Sequence, residues 1–251
     1  MKKNFLNSEK ALLTTMVMSK DPDRAIEIVD IINGIGTDAF GIQIDQLPRE
    51  FHNEDTYRRI FTAMGDHPIY ATNYRKIQDP VDDDVLASDM INIAKCGATL
   101  CDVQGDLFEP HPEQVCMGKD AILKQMRHIE NLKNAGAEVL MSSHLTKFWP
   151  EEEILRIANE HIKRGADVVK IVSKSDTEEE LYENIRISGV LKRELSKPFL
   201  FLSGGSHSYL HRRIGFALGI CMCLCSCKDD EFAVKLQPEL SKMKAIIENY
   251  N

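Results

Sequence analysis

With 251 residues, 43% of them hydrophobic and 28% charged, the chain is large enough for one domain that buries about three quarters of its unfolded surface, and its composition is unlike that of a disordered protein. A formal net charge of −8 opposes nonspecific attachment to nucleic acid or to an anionic membrane, although a local basic pocket can still attract an anion. No stretch of about 18 apolar residues is available to span a bilayer, and the polar opening, residues 1–10, lacks an apolar signal core, so a cytoplasmic protein is expected.

Taken in chain order, short β-rich runs alternate with amphipathic helical runs eight times. The expected strands are 12–19, 39–45, 69–75, 99–106, 137–145, 167–174, 198–205 and 220–226. A polar loop and a helix of about ten to twenty residues follow each, as crossovers between parallel strands require. Asp21, Asn53 and Asp176 are expected helix N-caps, Pro150 and Pro238 suit first turns, and Gly97, Gly136 and Gly165 stand where helices stop. No Gly/Ser tract or proline-rich spacer divides the chain. The fold class that follows is α/β, a single-domain (β/α)8 TIM barrel over residues 1–251. An open doubly wound sheet is the alternative, but it calls for a glycine-rich phosphate loop after the first strand, and Met18-Ser19-Lys20-Asp21-Pro22 is not one.

Cys221, Cys223, Cys225 and Cys227 alternate with Met222, Leu224 and Ser226. In a strand this puts four thiols in a line on one face, and the paired spacing of a zinc site is absent, so buried reduced thiols are expected and no metal or other cofactor.

A barrel places its active site at the C-terminal ends of its strands, which confines the search to Gln43 and Asp45, Arg75, Gln104 and Asp106, His144, Lys170, and Ser203-Gly204-Gly205. Lys170 interrupts the apolar run Val168-Val169-Lys170-Ile171-Val172. Facing inward or outward it is desolvated, which lowers the amine pKa and favours attack on a carbonyl; the bland alternative is a lysine paired with a carboxylate. His144 ends the neighbouring strand, within reach of the same substrate, and is the natural proton-transfer group. Arg212 or Arg213 can bind a carboxylate in bidentate fashion, unless both belong to a solvated helix face, and Arg75 has similar standing. Gly204-Gly205 lets backbone approach a phosphate, or is merely a tight turn.

Val139-Leu140-Met141-Ser142-Ser143-His144, Gly165-Ala166-Asp167-Val168-Val169-Lys170-Ile171, and the arginine and glycine spacing of residues 212–219 together resemble the type I 3-dehydroquinate dehydratases, barrel lyases of the shikimate route and so of aromatic amino acid biosynthesis. The resemblance covers nearly the whole chain and is strongest over residues 99–219. It implies Schiff-base chemistry on Lys170 with His144 as general acid and base, a carboxylate on Arg212, further substrate contacts from Arg75, Gln43 and Gln104, a small carboxylated ketone as the partner molecule, and a homodimer.

The sequence departs from the family in its recognition residues. Gly41 and Gln43 stand where the family carries a glutamate and an arginine on strand 2. The strand-4 glutamate expected to orient the histidine aligns with Gln104, unless Asp106 serves. The late loop Lys228-Asp229-Asp230-Glu231-Phe232-Ala233-Val234 shows Val234 where a glutamine is expected. Two other readings stay open: a class I aldolase acting on a phosphorylated sugar, and a ligand-binding paralogue without turnover.

Overall fold

A computed structural model describes residues 4–76 and 80–250. Eight strands, β1 (Leu12–Val17), β2 (Ala39–Gln43), β3 (Ile69–Thr72), β4 (Leu100–Gln104), β5 (Glu138–His144), β6 (Val168–Lys174), β7 (Phe199–Gly204) and β8 (Met222–Ser226), alternate with helices α1 (Pro22–Ile35), α2 (Glu54–Ala63), α3 (Asp83–Cys96), α4 (Lys119–Asn134), α5 (Glu151–Arg164), α6 (Glu178–Glu194), α7 (Tyr209–Leu218) and α8 (Leu240–Tyr250). All pairings are parallel, in the order β7-β6-β5-β4-β3-β2-β1-β8. The open edge is nearly closed, because Cys221 N–H donates to Phe199 O at 2.9 Å. The molecule is a (β/α)8 TIM barrel, with helices outside and a packed interior.

The interior is layered by strand alternation. Leu100, Leu140, Val168, Leu200 and Met222 are fully buried, and two residues further along their strands stand Asp102, Ser142, Lys170, Leu202 and Leu224. An apolar plug therefore lies under a layer that is half polar. Leu224 lines the central cavity, so Cys223 and Cys225, which flank it, point toward the helices. All seven cysteines are free thiols, and Cys223, Cys225 and Cys227 are buried.

Three helix-end expectations need correction. Thr177, not Asp176, caps α6, accepting from Glu180 N–H; the Asp176 carboxylate is turned instead to Ser206 N–H at 3.0 Å. Pro150 is itself the N-cap of α5, and Pro238 lies two residues ahead of α8. Asp21 and Asn53 do cap α1 and α2, and Gly97 and Gly165 end α3 and α5. Strands β1 to β4 also end earlier than expected. Their last residues continue the β pattern in sequence but leave the sheet; Asp45, for example, sits in the 3-10 turn Ile44–Gln46.

Among the described residues no helix is long and apolar enough to cross a membrane. No group of three or more His, Cys, Asp or Glu side chains among them could hold a metal ion.

Candidate active site

A cavity of about 390 Å3 opens at the C-terminal ends of the strands. Gln43, Arg75, Gln104, His144, Lys170 and Arg212 all line it. Lys170 and His144 come from adjacent strands, with Lys170 level with Ser142 and His144 level with Val172.

Lys170 points inward and is 5% exposed. Its Nζ donates to Tyr74 Oη at 2.8 Å and Tyr70 Oη at 3.0 Å, and lies 3.4 Å from Asp102 Oδ2. Asp102 in turn accepts from Tyr70 and Tyr74 hydroxyls at 2.5 Å each and from Ser142 Oγ at 2.6 Å. A carboxylate buried on β4 is thus satisfied by three hydroxyls and one amine, which is what keeps it tolerable in a dry interior. At 3.4 Å the ion pair is worth roughly 5 kcal/mol in an effective dielectric near 20, against several kcal/mol of lost hydration for each ion. Desolvation wins: burial holds the Lys170 amine below its ordinary pKa, although Asp102 pulls it upward and Arg212 pushes it further down. Tyr70 and Tyr74 stay protonated, burial raising both well above 10 with Asp102 adding to the effect.

Asp102, Tyr70 and Tyr74 were not singled out in the sequence, yet the signal was there. Asp102 interrupts Leu100-Cys101-Asp102-Val103 as Lys170 interrupts its own run, and a lone acid in an apolar strand needs a buried partner. Tyr70, Thr72 and Tyr74 recur with the strand period on the same face, and all three line the cavity.

Burial first, and then the positive charge of Lys170, pushes the His144 imidazole pKa down to about 3, with Asp102 pulling it up and Arg212 adding a smaller push down. The Tyr74 ring meets it edge-on at 5.3 Å. Neither Gln104 nor Asp106 is hydrogen-bonded to it. Gln114, from the loop after β4, accepts at Oε1 from His144 backbone N–H at 2.6 Å and lies 3.1 Å from Nδ1. Asp106 instead takes Arg75 at 3.0 Å and His111 N–H at 3.0 Å.

The two arginine candidates separate clearly. Arg212 lines the cavity, and among the described residues its guanidinium makes one hydrogen bond, from Nε to Ser203 O at 2.7 Å. Burial lowers its pKa to about 10, a cost that a bound anion would offset. Arg213 does not line the cavity and lies instead against the exposed Tyr209 ring. Arg75 reaches the cavity, but its guanidinium is occupied: Asp83 takes it in a fork at 2.6 and 2.7 Å, and Asp106 takes the rest. Despite its desolvation, those carboxylates raise its pKa.

On the opposite wall Gln43 donates to Asp45 at 3.1 Å. A Cβ on Gly41 would lie 2.1 Å from Met16 Sδ, so the Met16 thioether fills the space where the strand-2 acid was expected. From the late loop both Val234 and Gln237 line the cavity. The glutamine that the late loop lacks at Val234 is supplied three residues on, by Gln237. The amide oxygens of Gln104 and Gln237 are buried without a hydrogen-bond partner among the described residues.

The Gly204-Gly205 turn is filled from within. Gly205 has φ +86°, and a Cβ there would lie 2.3 Å from Asp176 Oδ1. Ser206 N–H donates to that carboxylate and His207 N–H to Ser175 O. Ser203 Oγ faces the helices, between Asn184 and His211.

The family model of type I 3-dehydroquinase matches residues 13–249. Solved structures agree in fold. The 3-dehydroquinate dehydratase of Geobacillus kaustophilus superposes with a TM-score of 0.82 at 14% identity, over 97% of this chain and 92% of that one. The type I enzyme of Clostridium difficile gives 0.81 at 16% identity, over 98% and 94%, and that of Enterococcus faecalis 0.79 at 14%, over 98% and 96%. No match was found among curated proteins. With an eight-stranded barrel, a buried lysine at its mouth and a family model spanning nearly the full sequence, the chain belongs to the type I 3-dehydroquinase family.

Proposed function

We propose that the protein is a Schiff-base lyase that dehydrates a carboxylated cyclic ketone, with 3-dehydroquinate as the substrate its family implies. The observation that carries the reading is a desolvated Lys170 sharing one cavity with His144 and with the open edge of the Arg212 guanidinium. Arg212 pairs with the substrate carboxylate. Neutral Lys170 Nζ attacks the ketone carbon, and loss of the carbonyl oxygen as water leaves an iminium. The iminium withdraws electrons from the adjacent C–H bond; His144 takes that proton, the electron pair forms an enamine, and the enamine expels the β-hydroxyl, which leaves as water with a proton from the same imidazole. Hydrolysis of the iminium then frees Lys170. In support, the Clostridium difficile relative has been solved with a covalently modified comenic acid. The family also suggests a cytoplasmic homodimer, which sedimentation would test.

Recognition is expected to differ from that of a typical family member. Gly41 and Gln43 supply fewer groups for ring hydroxyls than a glutamate and an arginine, and each lost hydrogen bond to a charged group is worth roughly 1.5 to 3 kcal/mol. Efficiency on 3-dehydroquinate should therefore be at least about tenfold below family norms, with a less hydroxylated carboxylated ketone preferred. Steady-state kinetics on both substrates tests this, and family-like efficiency on 3-dehydroquinate would show that the amides of Gln43, Gln104 and Gln237 suffice. The aldolase reading loses ground because the strand-7 turn, where a sugar phosphate would sit, already spends Ser206 N–H on Asp176 and His207 N–H on Ser175.

A further inference from the structure

The hydrogen bonds around His144 determine which of its ring nitrogens carries the proton. The His144 backbone N–H can only donate, so the Gln114 side-chain atom 2.6 Å from it is the amide oxygen and not the nitrogen. That same oxygen lies 3.1 Å from Nδ1, and an acceptor at that position demands a proton on Nδ1. Nε2 makes no hydrogen bond among the described residues, which leaves its lone pair free to act as the base.

Gln114 is held in place by the barrel itself. It sits at φ +48°, in the left-handed region, on the loop between β4 and α4. Its backbone oxygen accepts from Ser143 Oγ at 2.8 Å and its N–H donates to His111 O at 2.8 Å. Neighbouring residues of β5 therefore grip it from opposite faces of the strand: Ser143 holds its backbone and His144 its side chain. Gly105 makes the approach possible, because a Cβ there would lie 2.2 Å from Gln114 O and 2.9 Å from both Ser143 Oγ and His161 Nε2. Behind the loop the buried Arg164 ties Gly105 O, Cys116 O and Gln125 Oε1 together at 2.7 to 3.2 Å.

We propose that Gln114 is a positioning residue that holds His144 as the Nδ1–H tautomer, so that Nε2 is the nitrogen that takes the substrate proton. The assignment rests on the reading of His144 as the proton-transfer group. An amide in this place orients the ring without charge. A carboxylate would instead stabilise the imidazolium, so the neutral partner keeps His144 in its basic form; burial and Lys170 from β6 oppose its protonation most, Asp102 from β4 favours it, Arg212 from α7 opposes it by less, and the Tyr74 ring covers one edge.

Long-range nitrogen–proton NMR of 15N-labelled full-length protein, with the His144 ring assigned by difference from His144→Asn, tests this without any substrate. In the unsubstituted protein a protonated Nδ1 and an unprotonated Nε2 are expected, unchanged from about pH 8 to about pH 5. In Gln114→Glu, which keeps the shape, the ring should titrate roughly one to three pH units higher, and in Gln114→Ala the two tautomers should mix. An Nε2–H ring in the unsubstituted protein, or a Gln114→Ala ring that keeps a single Nδ1–H form, would overturn the proposal. Failure of Lys170 to trap a ketone would leave this readout intact, so the two claims fail separately.

Discussion

On the β3 to β6 side of the cavity, each side chain at the proposed reacting centre is held by another. Asp102 takes three hydroxyls, Lys170 gives hydrogens to two of the same hydroxyls, and His144 rests on Gln114. On the side formed by β7, β8, β1 and β2, Leu202, Leu224, Met16 and Met18 present apolar surface, and Met16 occupies the space beside Gly41. The first wall is directional and over-determined, so one lost atom unsettles several partners. Apart from Gln43 on Asp45 and Arg212 on Ser203 O, the second is held by packing and can be reshaped at modest cost, methionine most of all. On the proposed mechanism chemistry and recognition therefore fall to separate walls, and substitutions on each should fail in different ways.

The largest effect is expected from Lys170→Ala, which removes the proposed nucleophile and should lower kcat by about 10⁴-fold or more in steady-state assays. Arg212→Ala comes next. Loss of a desolvated cation opposite a carboxylate costs about 2 to 5 kcal/mol, and calorimetry should show ligand binding weakened by roughly 30-fold to several thousand-fold. The methyl ester of the same ligand should not discriminate between the two proteins.

Asp102→Asn probes the first wall more finely. Asp102 raises the Lys170 pKa from the low value that burial imposes, so its removal lowers that pKa further, and the pH at which imine formation becomes efficient should move down. Stability moves with it. A lysine whose folded pKa is depressed binds fewer protons folded than unfolded, so its penalty is present in full below the folded pKa and is relieved as pH rises toward 10.5. Without the countercharge the variant should lose about 3 to 5 kcal/mol at neutral pH and recover part of it on the alkaline side, as denaturation midpoints across pH would show.

The smallest change concerns the apolar wall. Met16→Ala opens the space beside Gly41, and adding Gly41→Glu should then raise efficiency on 3-dehydroquinate by about tenfold over Met16→Ala alone. In the unsubstituted background Gly41→Glu must first displace Met16, and a smaller gain is expected. An equal gain in both backgrounds would mean that Met16 does not shape the pocket.

What could be read from the sequence follows the same division. The eight strands and helices announce themselves by local periodicity, and Lys170 by breaking an apolar run. Asp102 carries the same signal, but it stands inside its strand and not at the strand end where a barrel's active site is expected. Strand ends were overrun for a related reason: residues such as Asp45 and Arg75 continue the β pattern but belong to loops that turn over the site. Gln114 and Gln237 had no local signature at all. They reach the cavity from loops, and only Gly105, which allows the first loop its close approach, hinted at the contact. The fate of Arg75 was equally hidden, since Asp83 meets it only once α3 is docked.

The central claim is that Lys170 forms the imine, and borohydride trapping measures it most directly. The intact protein is incubated with 3-dehydroquinate or a less hydroxylated carboxylated ketone, reduced, digested and weighed by mass spectrometry. The account predicts a stable adduct on the peptide containing Lys170, with the mass of the bound carbon skeleton, and none in Lys170→Ala. An adduct that persists in Lys170→Ala, or turnover of the ketone with no adduct on Lys170, would contradict it.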